Sequence, residues 1–167
     1  MNNISLSKKV DIFYILLIFG SFCIGYNITI AFHELGHAFA VMLDGGHIKE
    51  FVLNPFSWSW NFGQDLNNPL FTAWGGVTFG LLFAVLPAVL FIWVKRYYFR
   101  IPILVLAGSA FLINGVYLIM GVFLNIGDGG ELIQYGVSSF FILILGIVYF
   151  LIALFLWAIV QQLLGIT

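Results

Sequence analysis

Four apolar stretches dominate the chain, at 10–43, 71–94, 101–124 and 137–164. Each matches or exceeds the roughly 20 residues that carry a helix across about 30 Å of hydrocarbon. No water is available in a bilayer core, so backbone N–H and carbonyl groups must be satisfied within the spanning structure. Continuous apolar runs of this length read as helices. The expected fold is all-α: one membrane-embedded domain over 1–167 with about four transmembrane helices. Charged residues make up 8% of the chain and mean hydropathy is +1.10, where a soluble domain carries about 25% charged residues. A net charge of −1 gives no electrostatic case for nucleic acid. The expected surroundings are the lipid bilayer. The single cysteine, Cys23, excludes an internal disulfide and reads as a packing residue.

Lys8-Lys9 ahead of an apolar run resembles a signal peptide. No small-x-small cleavage site follows, however, and the helical pattern continues. Asp44-Gly45-Gly46 ends the first span, since glycine past a helix C-terminus is a common stop. A helix over 10–43 is about 50 Å long at 1.5 Å per residue. Tilt alone does not absorb that length in a bilayer. The end beyond His37 is therefore expected in headgroups or in a protein-lined cavity, with a break near Tyr26-Asn27 as the alternative. Residues 44–70 form the one long loop. His47-Ile48-Lys49-Glu50-Phe51-Val52-Leu53 has strand character, and 56–62 alternates aromatic and polar residues. This predicts a small β-hairpin at the membrane surface after the first span, with Trp58 and Trp60 at the interface. Its edge at Phe51, Val52 and Leu53 is a candidate for holding a substrate segment extended by strand addition. Gly76-x-x-x-Gly80 opens the second span as a helix-packing signal, and Pro87 is placed to kink it. Lys95 to Arg100 is a short basic turn. Ser109 and Asn114 interrupt the third span, and the fourth carries no chemistry.

Within the first span lies His33-Glu34-Leu35-Gly36-His37, an H-E-x-x-H pattern. Residues four apart on a helix share a face, so both imidazoles can hold one tetrahedral Zn2+. Glu34 then sits beside the metal as a general base. Ionisable groups at membrane depth are costly and point to function. The pattern supplies two ligands, and a catalytic zinc needs a third. Asp128, in Gly127-Asp128-Gly129-Gly130-Glu131, is the preferred candidate, because glycines let the backbone approach the metal. Glu131 is the competitor as a ligand; its other roles would be to cap the helix or to accept hydrogen bonds from behind the ligands. Asp128 acting only as a helix N-cap is a further alternative. His47 is a ligand by type but reads as an exposed loop histidine. Lys8, Lys9, Lys95, Arg96 and Arg100 fall on one side of a four-span chain, against Lys49 on the other. The positive-inside rule then makes both termini cytoplasmic and turns the site toward the non-cytoplasmic face. The same count puts Asp128 on the side of the His pair.

His33-Glu34-Leu35-Gly36-His37 in a span, followed by Asp128-Gly129-Gly130, resembles the site-2 protease family of intramembrane zinc metalloproteases, peptidase family M50. Asp44-Gly45-Gly46-His47-Ile48-Lys49 and the glycine-rich start of the second span add to the likeness, which covers most of 30–135. The resemblance implies a zinc endopeptidase that cuts in or near transmembrane segments of membrane proteins. His33, His37 and Asp128 correspond to the ligands and Glu34 to the base. Family members often carry Asn and Pro ahead of the Asp-Gly. Here the Pro is absent and Asn114 or Asn125 is the candidate for substrate or transition-state support. The length leaves no room for a PDZ or CBS domain. Many relatives open their site to the cytosol, unlike the orientation expected here. The other classes are a catalytically inactive zinc-binding scaffold and a metal-ion transporter. Transporters usually show internal repeats, and none is visible.

Overall fold

A computed structural model describes residues 12–54 and 59–165. Lys8-Lys9 and Trp58 lie outside the described residues. The elements are α1 (Ile12–Leu43), β1 (His47–Val52), β2 (Trp60–Gln64), α2 (Pro69–Trp93), α3 (Tyr97–Leu124), α4 (Gly127–Gln134) and α5 (Ser139–Leu164). Four of these helices, α1, α2, α3 and α5, are long and apolar enough to cross a membrane. Their outer surfaces expose Phe13, Leu16, Leu86, Leu90, Phe140 and Phe155. An apolar surface this extensive is stable only against lipid. The chain is an integral membrane protein with a small antiparallel sheet after its first helix.

α1 runs unbroken through Tyr26 and Asn27 for 32 residues, or about 48 Å. Five polar side chains of the spans do not break their helices, because they turn back on their own helix. Ser21, Asn27, Thr29, Ser109 and Asn114 all donate to the carbonyl four residues earlier. That pairing satisfies a hydroxyl or amide where no water is available. α1 stops where expected: the Gly46 amide reaches the Val41 carbonyl, the Gly45 amide reaches that of Met42, and Gly45 has φ +82°. This double bond with a left-handed glycine is the Schellman stop. The Asp44 carboxylate then accepts from the Asn68 amide at 2.8 Å. Asn68 in turn caps α2 through the Phe71 amide at 3.1 Å. The end of α1 and the start of α2 are thus tied together across the hairpin.

α3 is the central helix. Of its apolar window 56% is buried, against 17% for α1 and 28% each for α2 and α5. Ile101, Leu104 and Leu118 of α3 pack with Ile142 and Tyr149 of α5, Val77 and Ala84 of α2, and Leu132 of α4. α1 meets α2 where Gly36 faces Gly75, and a Cβ on either would collide with the backbone of the other helix. Small residues at that crossing let the two backbones touch.

Two expectations need correction. The basic stretch 95–100 is not all turn, because α3 already begins at Tyr97. Charged side chains at a membrane interface can extend into water without ending a helix. Arg100 lies over the Phe91 ring, 4.8 Å from its centroid. The segment after the third span forms the eight-residue helix α4. Pro87 lies inside α2 without ending it. The hairpin strands pair Phe51 with Asn61 and Val52 with Trp60, with a register irregularity between Ile48 and Glu50. Leu53 falls just beyond β1, so the candidate edge comprises Phe51 and Val52 only.

Candidate metal centre

The spacing of four puts His33 and His37 on one face of α1, with ring centroids 5.0 Å apart. Leu35 and Phe39, on other faces of the same turns, are exposed. His33 lies ten residues before the end of α1, about 15 Å along its axis. At that depth the imidazoles need protein partners. α4 supplies one: Asp128, in its first turn, is buried. A carboxylate there is favoured by the helix dipole. Gly129 packs against Gly121 of α3, which draws α4 inward. Gly127, at φ +56° and hard against the Tyr117 hydroxyl, makes the turn into α4.

His33 Nε2 is 2.9 Å from Asp128 Oδ2 and His37 Nε2 is 3.1 Å from Oδ1. One ligand atom from each of the three residues lies within 4.8 Å of the other two. Burial opposes the charge on Asp128, yet the facing imidazoles of His33 and His37 hold its carboxyl well below the usual carboxylate range.

Three features fit this cluster to a metal. First, Asp128 Oδ2 lies 2.9 Å from His33 Nε2 yet has no hydrogen-bond partner of its own. A short approach without a hydrogen bond is what two ligands aimed at a third centre produce. Second, His37 faces acceptors on both nitrogens: Nδ1 donates to the Thr72 carbonyl at 2.9 Å, and Nε2 faces Asp128. The Thr72 bond fixes the proton on Nδ1, as an outer partner of a metal-bound histidine does. Nε2 is then left to a second proton or to a cation. Third, Gly76 of α2 faces the pair. A Cβ there would collide with His37 Nε2 and come within 2.7 Å of His33 Nε2. The sequence reading took Gly76 as a packing residue, but it also keeps space open at the two nitrogens. Two imidazoles and one carboxylate form a donor set suited to catalytic zinc.

Glu34 is buried beside the cluster, and its Oε2 accepts from Asn61 Nδ2 of β2 at 2.6 Å. A cavity of about 620 Å³ between α1 and α3 reaches His33 and Glu34. Tyr26, Ile30, Leu112, Asn114 and Tyr117 are among its lining residues, with Ser59 from the hairpin. The other candidates fall out as follows. Glu131 is exposed and outside the three-residue group. Asn114 lines the cavity, with its amide donating to the Ala110 carbonyl at 2.8 Å. Asn125 is the exposed left-handed cap of α3 and does not line the cavity. His47 is exposed in β1, while Tyr26 faces the cavity and Asn27 does not.

Sequence reasoning missed Asn61, Thr72 and Tyr117. Tyr117 meets the His33 ring edge-on, 5.5 Å between centroids. The alternation of 56–62 put Ser59 and Asn61 on one polar face, but nothing local said that this face would meet Glu34. Thr72 acts through its carbonyl, which its side chain does not announce. No family model, curated protein or solved structure matches the chain.

Proposed function

We propose that this chain is a zinc-dependent endopeptidase that hydrolyses peptide bonds in or near transmembrane segments of membrane proteins, in the manner of site-2 proteases. The observation that carries the reading is the convergence of His33, His37 and Asp128 ligand atoms within 4.8 Å of one another, with the Glu34 carboxylate next to them on a cavity. His33, His37 and Asp128 would hold the ion. Zn2+ in such a site supplies Lewis acidity, lowering the pKa of water to about 7 and polarising a carbonyl.

The residues of the chain do the rest. Glu34 accepts the proton of the attacking water and returns it to the leaving amine. Burial keeps its carboxylate away from bulk water. The largely apolar walls, including Phe22, Ile30, Leu112 and Met120, suit a segment arriving from lipid. Such a segment must be unwound before its carbonyl is exposed. The hairpin edge at Phe51 and Val52 offers strand pairing for the extended form.

Glu34→Gln should keep its zinc and lose cleavage by about 10²–10⁴-fold, the range for a general base. The assay is cleavage of single-span substrates by purified protein in detergent, alongside metal analysis. Normal cleavage by Glu34→Gln would remove the assigned mechanism. We also propose that the site opens to the non-cytoplasmic face, on the strength of the five basic residues opposed to Lys49.

A further inference from the structure

We infer that Asn61 is a positioning residue for Glu34, and that through it the β-hairpin holds the general base in place. The inference rests on the peptidase reading for its catalytic part, but the contact stands by itself.

Asn61 belongs to β2, and its carboxamide crosses to α1. Nδ2 lies 2.6 Å from Glu34 Oε2 and 3.5 Å from the carbonyl of the same residue. The first is a short, charge-assisted bond, the stronger kind. It occupies Oε2, so Oε1 is the oxygen left to handle the proton. A buried carboxylate needs such a donor, since an unpaired charge away from water is costly. Across the ladder Asn61 pairs with Phe51 of β1. The strand that would receive an extended segment is therefore the ladder neighbour of the residue that holds the base. Ser59, just ahead of β2, lines the cavity that Glu34 faces, so the hairpin forms part of the cavity wall. At its other end the hairpin is seated by Gly63, where a Cβ would run into Val41 of α1. The hairpin thus touches α1 at a packing point and at the base itself. A shift of the strand moves the side chain that orients Glu34.

A bond of this kind predicts effects that a packing role does not. Asn61→Ala removes the donor. Asn61→Asp keeps the shape but sets a carboxylate against a carboxylate. Asn61→Asp/Glu34→Gln exchanges amide and carboxylate, so the bond re-forms in the opposite sense. The experiment is hydrogen exchange of residues 47–64 in the full-length, zinc-loaded protein in detergent, with kcat and KM measured on the same preparations. Loss of a hydrogen bond to a charged group is expected to speed hairpin exchange about tenfold in Asn61→Ala and more in Asn61→Asp. The double variant should return to within about threefold of wild type while remaining inactive, since it has no base. Asn61→Ala should lower kcat about tenfold with KM within about twofold, because the base is misplaced while binding is spared. Wild-type exchange in both single variants would overturn the inference, as would no recovery in the double variant. A wild-type protein that cleaves nothing would sink the peptidase reading instead, and the exchange data would still decide whether Asn61 holds Glu34.

Discussion

At the scale of single residues, the site depends on a few atoms with no slack. Asp128 faces both imidazoles from within hydrogen-bonding distance and has one oxygen without a hydrogen bond. Replacing it with Ala should lower the zinc content of purified protein well below one ion per chain, because two histidines alone make a poor zinc site. Unchanged zinc would move the third ligand elsewhere. Gly76 gives an independent check. Gly76→Ala puts a methyl group where His37 Nε2 lies, so zinc occupancy should fall while the helix itself is favoured by alanine. Full occupancy with wild-type activity in that variant would show that the imidazoles have room to move. Both histidines of the site were legible in the sequence because helical spacing alone sets them on one face. Asn61 was not, because its partner is 27 residues away and reaches it only once the hairpin folds back on α1.

At the scale of elements, length and hydropathy found four helices, and the Asp44-Gly45-Gly46 stop placed the end of the first. The Schellman turn at Gly45-Gly46 was readable because it needs only local chemistry. α4 was not among the expected elements, and the reason is physical. Glycine-rich 127–130 has weak intrinsic helix propensity, and α4 forms because its backbone packs against Gly121 and its Leu132 is fully buried. Tertiary packing decides such short helices, and no window of sequence contains it. The hairpin was legible as a hairpin. Its role against α1 was not, because two-residue alternation gives a face and leaves its partner open.

At the scale of the whole molecule, α1 is longer than a bilayer core is thick, and it delivers the motif to a level where α2, α4 and the hairpin surround it. One helix bundle thus keeps four apolar spans in lipid and a polar cluster out of it. The charge asymmetry makes a separate prediction about orientation. In a Cys23→Ser background, Lys49→Cys should react with a membrane-impermeant maleimide added outside intact cells. Labelling only after the cells are opened would turn the molecule over without disturbing its site. The central claim, a zinc peptidase site built from His33, His37, Asp128 and Glu34, meets its most direct test in purified, zinc-loaded protein. Cleavage of a single-span substrate is compared between wild type and Glu34→Gln, with metal measured in both. Zinc is expected in both proteins and cleavage only by the wild type. Equal cleavage by the two, or a wild type that holds no zinc, would contradict it.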